Sequence, residues 1–200
     1  MPGAVFSLSC GLVLASTSPR RQQFVSQWGV PFSIDAPDGE EPSPRIGESP
    51  EEYALKSAYA KGAGVARRHP GKAVIGADTI VTADGEILRK PLHADTALAM
   101  LKSLAGRTHS VITAVSVFLP DGSEEVFSDR ADVTFYAWPE EVLAAYVRTG
   151  EPLDKAGAYA IQGQGAFLAE RIEGSWSTVV GLPVSMTAAL LVRRGVLLPA

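Results

Sequence analysis

Six consecutive residues, Ser16-Thr17-Ser18-Pro19-Arg20-Arg21, put three hydroxyls and two guanidiniums within reach of a single anion. Before them, Leu12 to Ala15 has the length and apolarity of a buried strand. Ser18 ahead of Pro19 has the form of a helix N-cap followed by proline at the first helical position. A strand, a tight turn and a helix start aim backbone N–H groups and the positive end of the helix dipole at one spot, which is the chemistry of phosphate binding. The bland reading is an ordinary capped helix with two surface arginines. Two arginines in a first turn oppose the dipole, however, so a compensating anion is expected there.

The segment from Ala73 to Val81 reads as a strand buried on both faces, yet it carries Asp78 in its middle. A buried carboxylate must be paired, metal-bound or at the strand's mouth, unless it ends the strand and bonds its own backbone. Gly76 and Ala77 leave room for a ligand's close approach, and Thr79 offers a hydroxyl beside the acid. More carboxylates come from residues 35–50, a stretch rich in proline, glycine and acids that includes Asp38, Glu40 and Glu41. They form either a solvated connection or a loop that turns one acid inward to hold a metal ion. Lys61, inside a helical pattern, is unremarkable by itself. Lys90 sits where a strand ends. The glycine-rich run from Asp154 to Gly165 reads as a flexible platform presenting Asp154, Lys155 and Gln162, and its glycines alone are weak evidence of a phosphate site.

Elements that position these groups follow from periodicity and punctuation. Helices are expected over Pro19 to Trp28, from the Ser49-Pro-Glu-Glu52 capping box to about Ala66, over Asp95 to Leu104, over Pro139 to Arg148, and from Leu182-Pro183 to near Arg194. Strands are expected over Val30 to Ile34 and over Ile87-Leu88 after an Asp84-Gly85 turn. A hairpin of Ser110 to Leu119 with Glu125 to Ala137, a strand over Ala166 to Glu170, and a loop with a short strand over Ile172 to Val180 complete the series. The 200 residues, 46% hydrophobic and 20% charged, are enough to bury a core in one domain or two closely joined lobes. A net charge of −4 argues against a bulk nucleic-acid or anionic-membrane surface. The single Cys10 fits a reducing compartment, and an apolar start with no Lys or Arg before Arg20 reads as cytoplasmic rather than as a signal peptide.

Seven motifs in order carry a resemblance to the Maf family of nucleoside triphosphate pyrophosphatases: Ser-Thr-Ser-Pro-Arg-Arg at 16–21, Gly-Ala-Asp-Thr at 76–79, Lys-Pro at 90–91, Gly-Arg-Thr-His-Ser-Val-Ile-Thr at 106–113, Asp-Lys-Ala-Gly-Ala-Tyr at 154–159, Ile-Gln-Gly at 161–163 and Val-Gly-Leu-Pro at 180–183. The resemblance implies a single domain over 1–200, with its core at about 12–194. It further implies an α/β fold similar to that of inosine triphosphate pyrophosphatase, a mixed bent sheet flanked by helices with two lobes around a deep cleft.

The implied activity is hydrolysis of a nucleoside triphosphate to the monophosphate and pyrophosphate with a divalent cation, Mg2+ or Mn2+. Arg-Thr-His and Ile-Gln-Gly resemble the dTTP/UTP branch. A sister branch prefers 7-methyl-GTP, and Arg20, Thr79 and Gln162 fall where the branches separate. Carried onto this chain, Ser16, Arg20, Arg21, Lys61 and Lys90 would meet the triphosphate. Asp78 would be the catalytic base and, with Glu41, a metal ligand, although Glu40 and Glu41 could exchange roles. The partners implied are the nucleotide substrate, no nucleic acid and no membrane, with a homodimer allowed. The rival reading is a nucleotide-sensing regulator of septation without turnover.

Overall fold

A computed structural model describes residues 4–38 and 42–200. Along the chain run β1 (Phe6–Leu8), β2 (Leu12–Ala15), α1 (Pro19–Ser26), β3 (Ser33–Ile34), α2 (Pro50–Arg68), β4 (Ala73–Ala83), β5 (Glu86–Leu88), α3 (Ala94–Leu104), β6 (Thr108–Phe118), β7 (Glu124–Phe135), α4 (Glu140–Arg148), β8 (Ala169–Glu173), α5 (Trp176–Val180), α6 (Val184–Arg193) and β9 (Leu197–Pro199). Short 3-10 turns fill much of the stretch from Glu151 to Leu168.

Hydrogen bonding orders the main strands β3-β2-β4-β6-β7-β8, with β5 also on β4. The sheet is mixed. β2 is parallel to β3 and β4, whereas β5 is antiparallel to β4 and β8 to β7. β6 and β7 are neighbours joined by a turn in which Leu119 N–H donates to Ser123 O at 2.9 Å, a connection far too short for a parallel crossover. The α/β class with a mixed sheet flanked by helices is therefore as expected.

The chain divides into two compact units. The first comprises residues 1–78, 113–129 and 181–200; the second comprises 79–112 and 130–180. In the first, Val65 of α2 packs on Val13, Ala15 and Val74 of β2 and β4. Its long helix starts as its capping box predicts: Ser49 Oγ accepts from Glu52 N–H, and the Glu52 carboxylate accepts from Ser49 N–H. In the second unit, Leu101 and Leu104 of α3 and Leu143 and Tyr146 of α4 pack against Val111, Val133 and Phe135 of β6 and β7.

Several expectations shift. The Ile172 to Val180 segment ends in the helix α5 rather than a strand, and β8 lies three residues later than anticipated. β-branched residues such as Thr178 and Val179 favour a strand locally, but here they are buried on a helix, where packing overrides propensity. The expected flexible platform is a series of hydrogen-bonded turns. Residues 6–8 and 197–199, for which no element was expected, pair as an antiparallel ribbon with Ser7 opposite Leu198. Among the described residues no helix is long and apolar enough to cross a membrane.

Candidate active site

Three parallel strands bring the first unit's chemistry to one edge. Leu14 of β2 is in register with Ile34 of β3, and Ala15 with Gly76 of β4. At that carboxyl edge the turn beginning at Ser16, the loop beginning at Asp35 and the later residues of β4 all emerge, and this is where α/β sheets place their ligands.

Asp78 is only 6% exposed and lies within the 11-residue β4, which removes the strand-ending alternative. Its charge is paired: Lys61 Nζ stands 2.5 Å from Asp78 Oδ1, with the two side chains 23% and 9% exposed. Close packing of α2 on β4 makes this possible. A Cβ on Gly76 would lie 2.6 Å from the backbone N of Gly62, and one on Gly62 would lie 2.4 Å from Ser116 Oγ. Gly62 therefore lets the helix that carries Lys61 approach the strand that carries Asp78.

Ser16 is buried, and its hydroxyl oxygen accepts from the backbone N–H of Ser18 at 3.2 Å and from Arg21 Nη1 at 3.4 Å. The Ser18 side chain makes no capping bond, contrary to expectation; the turn is closed from Ser16 instead. Arg21 also donates through Nε to Gly181 O at 2.8 Å, so it ties the turn to the start of α6 as well as standing near it as a cation. Arg20 is half-buried in the first turn of α1. Neither Arg20 nor Lys90 makes an ion pair among the described residues.

The acidic loop is held from α2 at both ends. Arg68 donates through Nε to Asp35 Oδ2 at 3.0 Å and through Nη2 to Ala36 O at 2.7 Å, and it also pairs with Asp38. His69 Nε2 is 2.8 Å from the same Asp35 oxygen. Hydrogen bonds from Arg68 and His69 hold the Asp35 carboxyl down at about 2. Farther along, Lys56 Nζ binds Glu48 Oε1 at 2.5 Å and Ser43 O at 3.2 Å. Glu40 and Glu41, the expected loop ligands, lie outside the described residues. Among those described, no cluster of three or more His, Cys, Asp or Glu side chains suits a metal, so Asp78 is the one described member of the expected pair.

In the second unit, Thr79 follows Asp78 directly and is half-buried, Lys90 is exposed just beyond β5, and Gln162 is half-buried with extended backbone ahead of the turn at Gly163. The histidine of the Arg-Thr-His motif is a core residue. His109 is 3% exposed, its Nε2 is 2.8 Å from Tyr159 Oη, and burial pulls its pKa down to about 4. It stacks edge-on with Phe135 and Tyr159 at 4.9 and 5.3 Å. The glycine-rich run does not offer its amides to a phosphate either. The N–H groups of Gln164 and Gly165 donate to the Glu151 carboxylate at 2.9 and 3.1 Å, so an internal carboxylate occupies that backbone nest. Sequence reasoning missed Glu151 and its partner Tyr146, because nothing local marks a residue whose partners lie 13 and 14 positions away.

Such an arrangement belongs to the α/β proteins that present their chemistry on loops at the carboxyl edge of parallel strands. Within that class the chain belongs to the Maf-like proteins, whose family model matches residues 11–194. It is similar to a dTTP/UTP pyrophosphatase of Nitratidesulfovibrio vulgaris, at 54% identity over 95% of this chain and 90% of the relative. A dTTP/UTP pyrophosphatase of Myxococcus xanthus is 49% identical over 94% of each chain. Among solved structures, a HAM1 protein from Coxiella burnetii matches 92% of this chain and 99% of its own at 15% identity, with a TM-score of 0.47.

Proposed function

We propose that this chain is a hydrolase that cleaves dTTP and UTP to the nucleoside monophosphate and pyrophosphate. The observation that carries the reading is Asp78, a carboxylate buried in mid-strand and paired with Lys61 at the carboxyl edge of β2 and β4, in a chain with near relatives of that name.

Asp78 accepts the proton of the attacking water, which enters in line at the α-phosphorus. The bond between that phosphorus and the α–β bridging oxygen breaks, and pyrophosphate leaves with the oxygen and its charge. Lys61, Arg20 and Lys90 neutralise the phosphate oxygens, with Ser16 and Arg21 shaping the turn that receives them. A hard divalent cation suits this donor set, because Mg2+ takes one or two protein carboxylates and completes its shell with water and phosphate oxygens. Asp78 and Glu41 would hold that cation. Bound there, Mg2+ or Mn2+ would supply neutralising charge for the phosphate oxygens and Lewis-acid activation of the nucleophile. Thr79 and Gln162 contribute to base selection, Gln162 because its amide offers both a donor and an acceptor to the imide edge of uracil or thymine. A single Maf-like domain over 1–200, with its core at about 12–194, a cytoplasmic location and no nucleic-acid partner belong to the same reading.

Pyrophosphate release from a nucleotide panel tests it. UTP and dTTP should lead ATP, GTP and 7-methyl-GTP in kcat/KM. Preference for 7-methyl-GTP would move the chain to the sister branch, and nucleotide binding without pyrophosphate release would favour a non-catalytic regulator.

A further inference from the structure

We infer that Glu151, braced by Tyr146, is a positioning residue that sets the Gln162 turn for recognition of the pyrimidine base. This deepens the proposed activity and rests on the base-reading role given there to Gln162. The Glu151 carboxylate accepts three hydrogen bonds: from Tyr146 Oη at 3.0 Å and from the backbone N–H groups of Gln164 and Gly165 at 2.9 and 3.1 Å. Tyr146 is 3% exposed, and its oxygen also accepts from Ala160 N–H at 3.3 Å, so one pair of side chains grips the chain on both sides of Gln162.

The glycines that flank this grip are explained by it. Gly163 has φ +84°, and a Cβ there would lie 3.0 Å from Glu151 Oε2. A Cβ on Gly165 would lie 2.4 Å from Tyr146 Oη and 2.7 Å from Ala160 O. The Gln-Gly-Gln-Gly sequence therefore lets a carboxylate and a phenol come against the backbone, and the backbone conformation at Gln162 is set before any nucleotide arrives.

Selectivity follows from that restraint. Uracil presents an acceptor next to an N–H donor, and cytosine presents the reverse order. A glutamine amide can match either by rotating, so a preference between them requires that the residue bearing it be held. Substitutions Glu151→Gln and Tyr146→Phe each remove part of the grip with little change in volume. Both should lower the ratio of kcat/KM for UTP to that for CTP by about 10-fold or more, chiefly through a higher KM for UTP. Inhibition by pyrophosphate should be unchanged.

The experiment measures both nucleotides on wild type, Gln162→Ala, Glu151→Gln and Tyr146→Phe, with melting temperatures alongside. A wild-type protein without preference for UTP over CTP overturns the base reading of Gln162 and this inference with it. Loss of preference in Gln162→Ala, with preference kept by the folded Glu151→Gln and Tyr146→Phe proteins, overturns this inference alone. Equal losses on UTP and CTP in those two proteins do the same, since they mark a merely structural role. Hydrogen exchange on the wild-type protein needs no variant. Slow amide exchange at Gln164 and Gly165, the same with and without UMP, is expected; fast exchange in the free protein would show that the turn is not preset.

Discussion

At the scale of single residues, the pairing of Asp78 with Lys61 decides how the site responds to substitution. An aspartate crowded only by other acids would be relieved by neutralisation, whereas Asp78 has Lys61 Nζ 2.5 Å away. Asp78→Asn leaves that ammonium with an amide in place of a carboxylate. It should therefore cost about 1–2 kcal/mol of stability instead of adding any. Its kcat/KM for UTP should fall by at least about 10²-fold, the lower end for losing a general base, and further if metal binding weakens too. Nucleotide binding should survive, since Arg20 and Arg21 remain. Calorimetry and steady-state kinetics on the one variant read all three quantities, and turnover near the wild-type rate in saturating Mg2+ would make Asp78 a structural residue.

At the scale of elements, α2 organises the first unit. It carries Lys61 toward β4, and from Lys56 and Arg68, with His69 just past its end, it holds both ends of the acidic loop. Its two interior glycines do different work. Gly62 faces Ser116 and Phe118 at distances no real Cβ tolerates, while a Cβ on Gly64 would meet nothing within 4 Å. Gly64→Ala should therefore gain about 0.5–1 kcal/mol from helix propensity alone. Gly62→Ala gains the same propensity but forces α2 away from β4, an overpacking that costs about 1–3 kcal/mol. Opposite shifts in melting temperature are expected, with a loss of activity only in Gly62→Ala, where Lys61 is drawn off Asp78. Shifts of the same sign would show that the contact between helix and strand is slack.

At the scale of the whole chain, the two termini hold each other. Phe6 to Leu8 pairs with Leu197 to Pro199, Ser9 N–H donates to Val196 O at 3.1 Å, and Ala200 N–H to Val5 O at 3.1 Å. Val196 and Leu197 are buried at 2% and 0% exposure. A two-stranded ribbon is marginal by itself, so its worth lies in the apolar side chains it covers. Deleting residues 1–9 should lower unfolding stability by about 1–3 kcal/mol, that of one or two buried aliphatic side chains, and leave kcat for UTP unchanged because no site residue is removed. An unaltered urea midpoint would show that the ribbon covers nothing of consequence.

Much of this protein was legible from residue order alone, because the signals are local. The Ser49 to Glu52 capping box, the Asp84-Gly85 turn and the apolar periods place most of the helices and strands within a few residues. An acid in the middle of an apolar strand singles out Asp78 without any coordinates. What the tertiary structure decided was identity of partner. Lys61 is 17 positions from Asp78, Glu151 is 13 from Gln164, and Phe6 is 193 from Pro199. The same distance in sequence hid the burial of His109, which belongs to the Arg-Thr-His motif and is a neutral packing residue in the fold. The glycines show the physical reason most directly. Residue order says only that Gly62, Gly163 and Gly165 are permissive, while their use depends on which atoms a Cβ would strike, and those atoms belong to parts of the chain that folding alone brings alongside.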